Sequence, residues 1–105
     1  MSKGYWIANV EVADPERYKA YIQANAAAFA KYRGRFLVRA GRHLVVEGAS
    51  NSRQVVIEFP DYEAALACFH SPEYQAALAL RRDISRSNLV IVEGYDGPQP
   101  VAMQG

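Results

Sequence analysis

The sequence has a single cysteine, Cys68, among 105 residues. No disulfide can close within the chain, and a reducing compartment, the cytoplasm, is the expected location. It also lacks a surplus of either charge, with twelve Lys and Arg against eleven Asp and Glu, a net charge of +1. A nucleic-acid partner is not expected, because no basic excess exists to neutralise phosphates. No window approaches the roughly 18 apolar residues of a membrane span. Lys3 is followed by no long apolar stretch, so neither a membrane partner nor a signal peptide is expected. His43 and His70 stand alone, without His or Cys at ligand spacing, so no metal site is expected. The seven glycines are scattered and build no phosphate loop, and no G-x-S-x-G elbow occurs. These absences put hydrolytic, nucleotide-dependent and metal-dependent chemistry aside, and no cofactor is expected.

What is present is an alternation of strand and helix patterns. Tyr5 to Val12 reads Y-W-I-A-N-V-E-V, with Trp6, Ala8, Val10 and Val12 on one face and Tyr5, Ile7, Asn9 and Glu11 on the other, the period of a strand. Asp14-Pro15-Glu16 starts a helix: the Asp side chain caps free N–H groups, Pro needs no donor at the first position, and Glu suits the positive helix end. Tyr18, Ile22, Asn25, Phe29 and Tyr32 form its apolar stripe, and Gly34 marks its stop. A second strand runs Arg35 to Ala40, with a bend at Gly41 and a continuation over His43 to Glu47. After a turn at Gly48–Ser52, Gln54 to Phe59 returns as a third strand, closing a long hairpin. Asp61 caps a further helix with Tyr62, Ala65, Leu66 and Phe69 on one face. Ser71-Pro72 breaks and restarts it, placing Tyr74, Ala77, Leu78 and Arg81 together. Leu89 to Glu93 is almost continuously apolar, as expected of a strand buried on both faces, hence central in its sheet or covered on both sides. Arg81, Arg82 and Arg86 read as a solvated helix end.

The order β-α-β-β-α-β predicts an α+β fold of ferredoxin-like type, a four-stranded antiparallel sheet with helices on one face. It occupies residues 4–97 as a single domain, with a C-terminal tail over 98–105. The face turned from the helices is too apolar to meet water: Tyr5 and Ile7 oppose the Trp6 side, Val55, Ile57 and Phe59 oppose Val56, and the last strand is apolar in both parities. A homodimer packed through this face is the expected assembly.

Several stretches resemble one family in order: Gly4-Tyr5-Trp6-Ile7-Ala8 with Asp14-Pro15-Glu16; Gly34-Arg35-Phe36-Leu37-Val38-Arg39; Val46-Glu47-Gly48; Val56-Ile57-Glu58-Phe59-Pro60; Ser71-Pro72-Glu73-Tyr74-Gln75; and Val90-Ile91-Val92-Glu93-Gly94. Together they resemble the bacterial family called domain of unknown function 1330, over roughly Gly4 to Gly97. The resemblance implies a dimeric α+β barrel, an architecture shared by cofactor-free monooxygenases, lactone isomerases, haem-handling proteins and stress-response barrels. It implies no particular activity.

The residues open to chemistry are polar groups at positions patterned for burial. Asn25 sits in an apolar stripe, where it needs a hydrogen bond to neighbouring backbone or else serves as a pocket donor. Asn9 lies mid-strand, either bonded inside the barrel or orienting a ligand. Arg39 and Glu58 fall on adjacent strands and are expected to pair across the hairpin. His43, after the Gly41 bend, is the histidine better suited to general base work, as against a surface residue on a hairpin arm. Tyr18, Tyr21, Tyr32, Tyr62 and Tyr74 all fall on helices; converging hydroxyls there would line a pocket for a flat, partly polar molecule. Three functions follow. One is a cofactor-independent enzyme acting on a small aromatic or lactone-like metabolite, with His43 or a tyrosine moving a proton and Asn9, Asn25, Tyr18, Tyr62, Arg39 and Glu58 about the ligand. A second is a ligand-binding or stress-associated dimer without chemistry. The third is a structural protein with no pocket. A pocket with converging polar groups favours the first, an apolar pocket the second, a filled core the third.

Overall fold

The structure, a computed structural model, describes residues 2–101. The elements follow as β1 (Gly4–Val12), α1 (Pro15–Lys31), β2 (Arg35–Arg39), β3 (Arg53–Phe59), α2 (Tyr62–His70), α3 (Pro72–Arg81) and β4 (Ser85–Glu93). The strands form one antiparallel sheet in the order β2-β3-β1-β4, with the helices on one face, the ferredoxin-like arrangement. Residues 98–101 of the expected tail carry no helix or strand, and 102–105 lie outside the described residues.

Capping chemistry sets the helix starts. Asp14 Oδ1 accepts the Arg17 N–H at 3.1 Å, and Asp61 Oδ1 accepts that of Ala64 at 2.7 Å. Ser71 ends one helix and begins the next. Its hydroxyl donates to the Cys68 carbonyl at 2.7 Å and accepts the Tyr74 N–H at 3.1 Å, which fixes where Tyr74 enters the core. The stop of α1 differs from expectation. Arg33, not Gly34, takes the left-handed conformation (φ 63°), and the Gly34 N–H closes the turn on the Phe29 carbonyl at 2.8 Å. Gly34 is needed for space instead, since a Cβ there would lie 2.9 Å from the Phe59 ring.

Strand register assigns the faces. Trp6 stands beside Ile57 and Ile91, and Ala8 beside Val55 and Leu89, all on the helix side. Ile57 and Phe59 therefore belong to the helix-covered face, and Val56 to the open one. On the open face Val38, Val56, Ile7 and Val90 form an apolar row across the sheet. Ile7 is 47% exposed and Val90 59%.

Two expectations about strands fail. The last strand is an edge strand, with only its inward side chains, such as Leu89 and Ile91, packed against the core. Its unbroken apolar run reflects an outer face left uncovered within one chain. Residues 43–47 do not extend β2 either. Ala40 turns the chain with a φ of 57°, and residues 41–50 form an irregular, exposed arm. The radius of gyration, 15.6 Å, exceeds the roughly 13 Å of a compact chain this long because of that excursion.

Candidate functional site

Between the helix side of the sheet and α1 and α3 lies a small cavity, with about 40 Å³ of space open to the centre of a water molecule. Its floor is Trp6, Ala8 and Val10 of β1, flanked by Val55 and Ile57 of β3 and by Ser87 and Leu89 of β4. Tyr18, Tyr21, Asn25 and Phe29 of α1 and Tyr74 and Arg81 of α3 close it from above. Ala8 is the small residue in the middle of this floor, and its methyl leaves the space that the bulkier Trp6 and Val10 would fill.

The polar groups converge. The Tyr21 and Tyr74 hydroxyls lie 2.9 Å apart. Arg81 donates from Nη2 to the Tyr74 hydroxyl at 3.1 Å and from Nη1 to Ser87 Oγ at 3.1 Å, and its guanidinium carbon stands 5.2 Å from the Tyr21 ring centre. Arg53 lies 5.6 Å over the Tyr18 ring, and its Nε is buried without a hydrogen-bond partner. Arg39 stands at the mouth, 4.1 Å over Phe36. Burial pushes the Tyr74 hydroxyl above its ordinary value, reinforced by Tyr21 and opposed by Arg81. Burial also raises Tyr18, again with Tyr21 adding and Arg53 and Arg81 opposing. Both phenols therefore stay neutral and able to donate. Arg81 loses solvation by burial, yet the tyrosine hydroxyls more than restore its charged form.

The expected site residues divide between cavity and exterior. Tyr18, Asn25 and Arg39 line the cavity. Asn25 is 5% exposed, and no hydrogen bond among the described residues involves its side chain, so the expected backbone partner is not found. The Arg39–Glu58 pair does not form. The register sets Arg35 opposite Glu58, 3.7 Å away, and a bulge between Phe36 and Val38 adds one residue to β2, which turns Arg39 to the helix side opposite Val55. Asn9 lies on the open face, outside the cavity. Its side chain accepts the Asn51 N–H at 3.0 Å and holds the returning arm. His43 sits on the exposed arm with its Nδ1 3.3 Å from the Gly41 carbonyl oxygen and is not among the lining residues. Tyr62, half-buried at the start of α2, is not among the lining residues. Cys68 is fully buried and its thiol is pushed up to about 12 by desolvation, so it is inert.

Arg81, Arg53 and Ser87 were not expected at the site. Arg81 is only 8% exposed rather than solvated. Its place seven residues after Tyr74 and three after Leu78, on one helical stripe, was the available signal. Arg53, at the first position of β3, offered none.

The comparisons agree with this architecture. No curated protein matches the chain. Among solved structures, a protein of unknown function from Rhodopseudomonas palustris is similar with a TM-score of 0.67 at 18% identity, over 91% of this chain and 85% of that one. SnoaB, a cofactor-independent oxygenase from Streptomyces nogalater, is similar with a TM-score of 0.59 at 17% identity, over 98% of this chain and 100% of that one. A dimeric ferredoxin-like protein of unknown function from Thermobifida fusca is similar with a TM-score of 0.57 at 20% identity, over 88% and 89%. Residues 3–95 match the model of domain of unknown function 1330, and the chain belongs to that family.

Proposed function

We propose that this protein is a cofactor-independent enzyme acting on a small aromatic or lactone-like molecule held between the sheet and α1 and α3. The observation that carries the reading is the convergence, in one mostly apolar cavity, of the Tyr21–Tyr74 hydroxyl pair, Arg81 and the unpartnered Asn25 amide. An apolar cavity alone would suit a carrier. Neutral phenols beside a guanidinium suit chemistry in which an oxyanion develops on the ligand, since they donate hydrogen bonds to it in a low-dielectric site. Tyr74 would deliver or hold the proton, Arg81 would stabilise the charge, and Asn25 would orient the molecule. His43 and Asn9, outside the cavity, drop out of the site. The similarity to a cofactor-independent oxygenase supports this at the level of fold.

The same reading has the protein working in the cytoplasm as a homodimer. The apolar row Val38–Val56–Ile7–Val90 would then meet its copy on a second sheet. No helix among the described residues is long and apolar enough to cross a membrane.

A crystal structure of protein purified without added ligand tests the proposal. Density of a small flat molecule beside Asn25 and Tyr74, with turnover of that molecule lost in Tyr74→Phe, is the expected result. The same density without turnover would favour the non-catalytic ligand-binding dimer. A cavity closed by side chains would overturn both.

A further inference from the structure

The charges around the cavity do not balance. Three guanidiniums, Arg39, Arg53 and Arg81, line it, and no Asp or Glu does. None of the ion pairs among the described residues involves any of the three. Arg81 is more than nine-tenths buried. Elsewhere four cations are paired, Arg17 with Asp83, Lys19 with Glu16, Lys31 with Glu73 and Arg35 with Glu58, and those in no ion pair among the described residues, Lys3, Arg33, Arg42, Arg82 and Arg86, are exposed to water. A buried cation without a counter-charge is costly, and proteins keep one where a partner arrives from outside. The neighbouring phenols do not supply that partner, because burial holds Tyr18 and Tyr74 in their neutral forms. Each guanidinium instead stands over an aromatic ring, which orients it without neutralising it. Arg53 also carries a buried Nε with no partner, and a guanidinium edge with free donors matches a carboxylate in a two-point contact.

We infer that the cavity takes a planar aromatic carboxylate, its charge against Arg53 and Arg81 and its ring in the space over Ala8. This rests on the reading of the cavity as a ligand site and adds the class of ligand. The aromatic frame follows from the walls, Trp6, Phe29, Val55 and Leu89, and the charge from the three unpaired cations.

The chain has one tryptophan, Trp6, whose ring lines the cavity and whose indole N–H donates to the Ala65 carbonyl at 2.9 Å, so it serves as a reporter. The test titrates uniformly ¹⁵N-labelled full-length protein with 2-naphthoate and, separately, with its neutral isostere 2-naphthamide. The Trp6 indole and the arginine Nε–H resonances are followed. The expected result is saturable shifts at Trp6 and Arg53, with the carboxylate binding about 10- to 100-fold more tightly than the amide, as a charge-assisted contact implies. Arg53→Gln, at a half-exposed position, removes that advantage. Equal affinities, or an advantage that survives both Arg53→Gln and Arg81→Gln, overturn the inference while leaving the cavity as a ligand site. Shifts confined to the exposed arm also overturn it. No shift at Trp6 from either compound removes the ligand-site reading itself.

Discussion

The two ends of the layer between helices and sheet are built differently from the same kinds of residue. At one end Trp6 stacks its edges and faces against Phe29 (5.2 Å), Phe59 (5.5 Å), Phe69 (5.9 Å) and Tyr74 (4.8 Å between ring centres), and every ring has a neighbour. At the other end the aromatics are Tyr18 and Tyr21, their partners are guanidiniums, and space remains over Ala8. The first end holds the fold together by dispersion and area burial, which need no outside partner. The second holds cations that no carboxylate among the described residues matches, Arg81 resting on hydrogen bonds to Tyr74 and Ser87. Tyr74 belongs to both: its ring completes the packed end and its hydroxyl begins the polar one.

That contrast breaks most severely at the packed end. Phe59 is 1% exposed, and Phe59→Ala is expected to cost about 3–5 kcal/mol in urea unfolding. A loss no larger than that of a surface substitution would show that the packed end is not the anchor. Next is the joint between α2 and α3. Ser71→Ala removes both a cap and a buried hydroxyl contact, with an expected cost of about 1 kcal/mol. Its circular dichroism should show weakened helix, and Ser71→Asp should recover most of the loss.

A smaller effect comes from alkali. Tyr18 and Tyr74 have their ionisation raised above the ordinary 10.0 in the fold. A raised value means the folded chain holds its proton longer than the unfolded one. Stability from this source is complete below the unfolded value and falls as pH rises beyond it. Unfolding midpoints measured upward from pH 9 should decline, and part of the tyrosinate absorbance should appear only with unfolding. Tyrosine ionisation complete before any unfolding would contradict the burial of this pair.

The smallest stability changes are expected in the cavity. Ala8→Leu would overpack a filled core by about 1–3 kcal/mol. Here the added side chain enters empty space, so the thermal midpoint should stay near that of the unsubstituted protein while ligand binding disappears. Arg81→Met deletes an unmatched buried charge at similar side-chain length and should leave stability unchanged or raise it, as replacing buried ionic groups with packed apolar ones often does. A cost of several kcal/mol would recast Arg81 as part of the structural core.

Much of the architecture was legible from local pattern. Alternation in Tyr5–Val12, capping at Asp14, Asp61 and Ser71, and the period of α1 depend on neighbours a few residues away. The candidate site was legible only in part. Tyr18 and Asn25 stand on the apolar stripe and duly face the cavity. Arg39 reached it through a bulge that no residue type announces, and the expected pair with Glu58 fails on register, since Glu58 stands opposite Arg35. Ile57 and Phe59 were assigned to the open face because parity along a strand says that two faces exist but not which one the helices cover, and His43 lies off the sheet because the arm at 41–50 follows a turn at Ala40 rather than strand pairing.

The sequence by itself determined the element order, the helix boundaries set by capping, and the ferredoxin-like class, because these follow from hydrophobic period and backbone hydrogen bonding within short windows. Only the tertiary structure decided which sheet face is covered, that β4 lies at an edge, and that Arg39, Arg53 and Arg81 share one cavity without a counter-charge. Those outcomes depend on register between strands far apart in the chain, and register is settled by packing the whole layer at once.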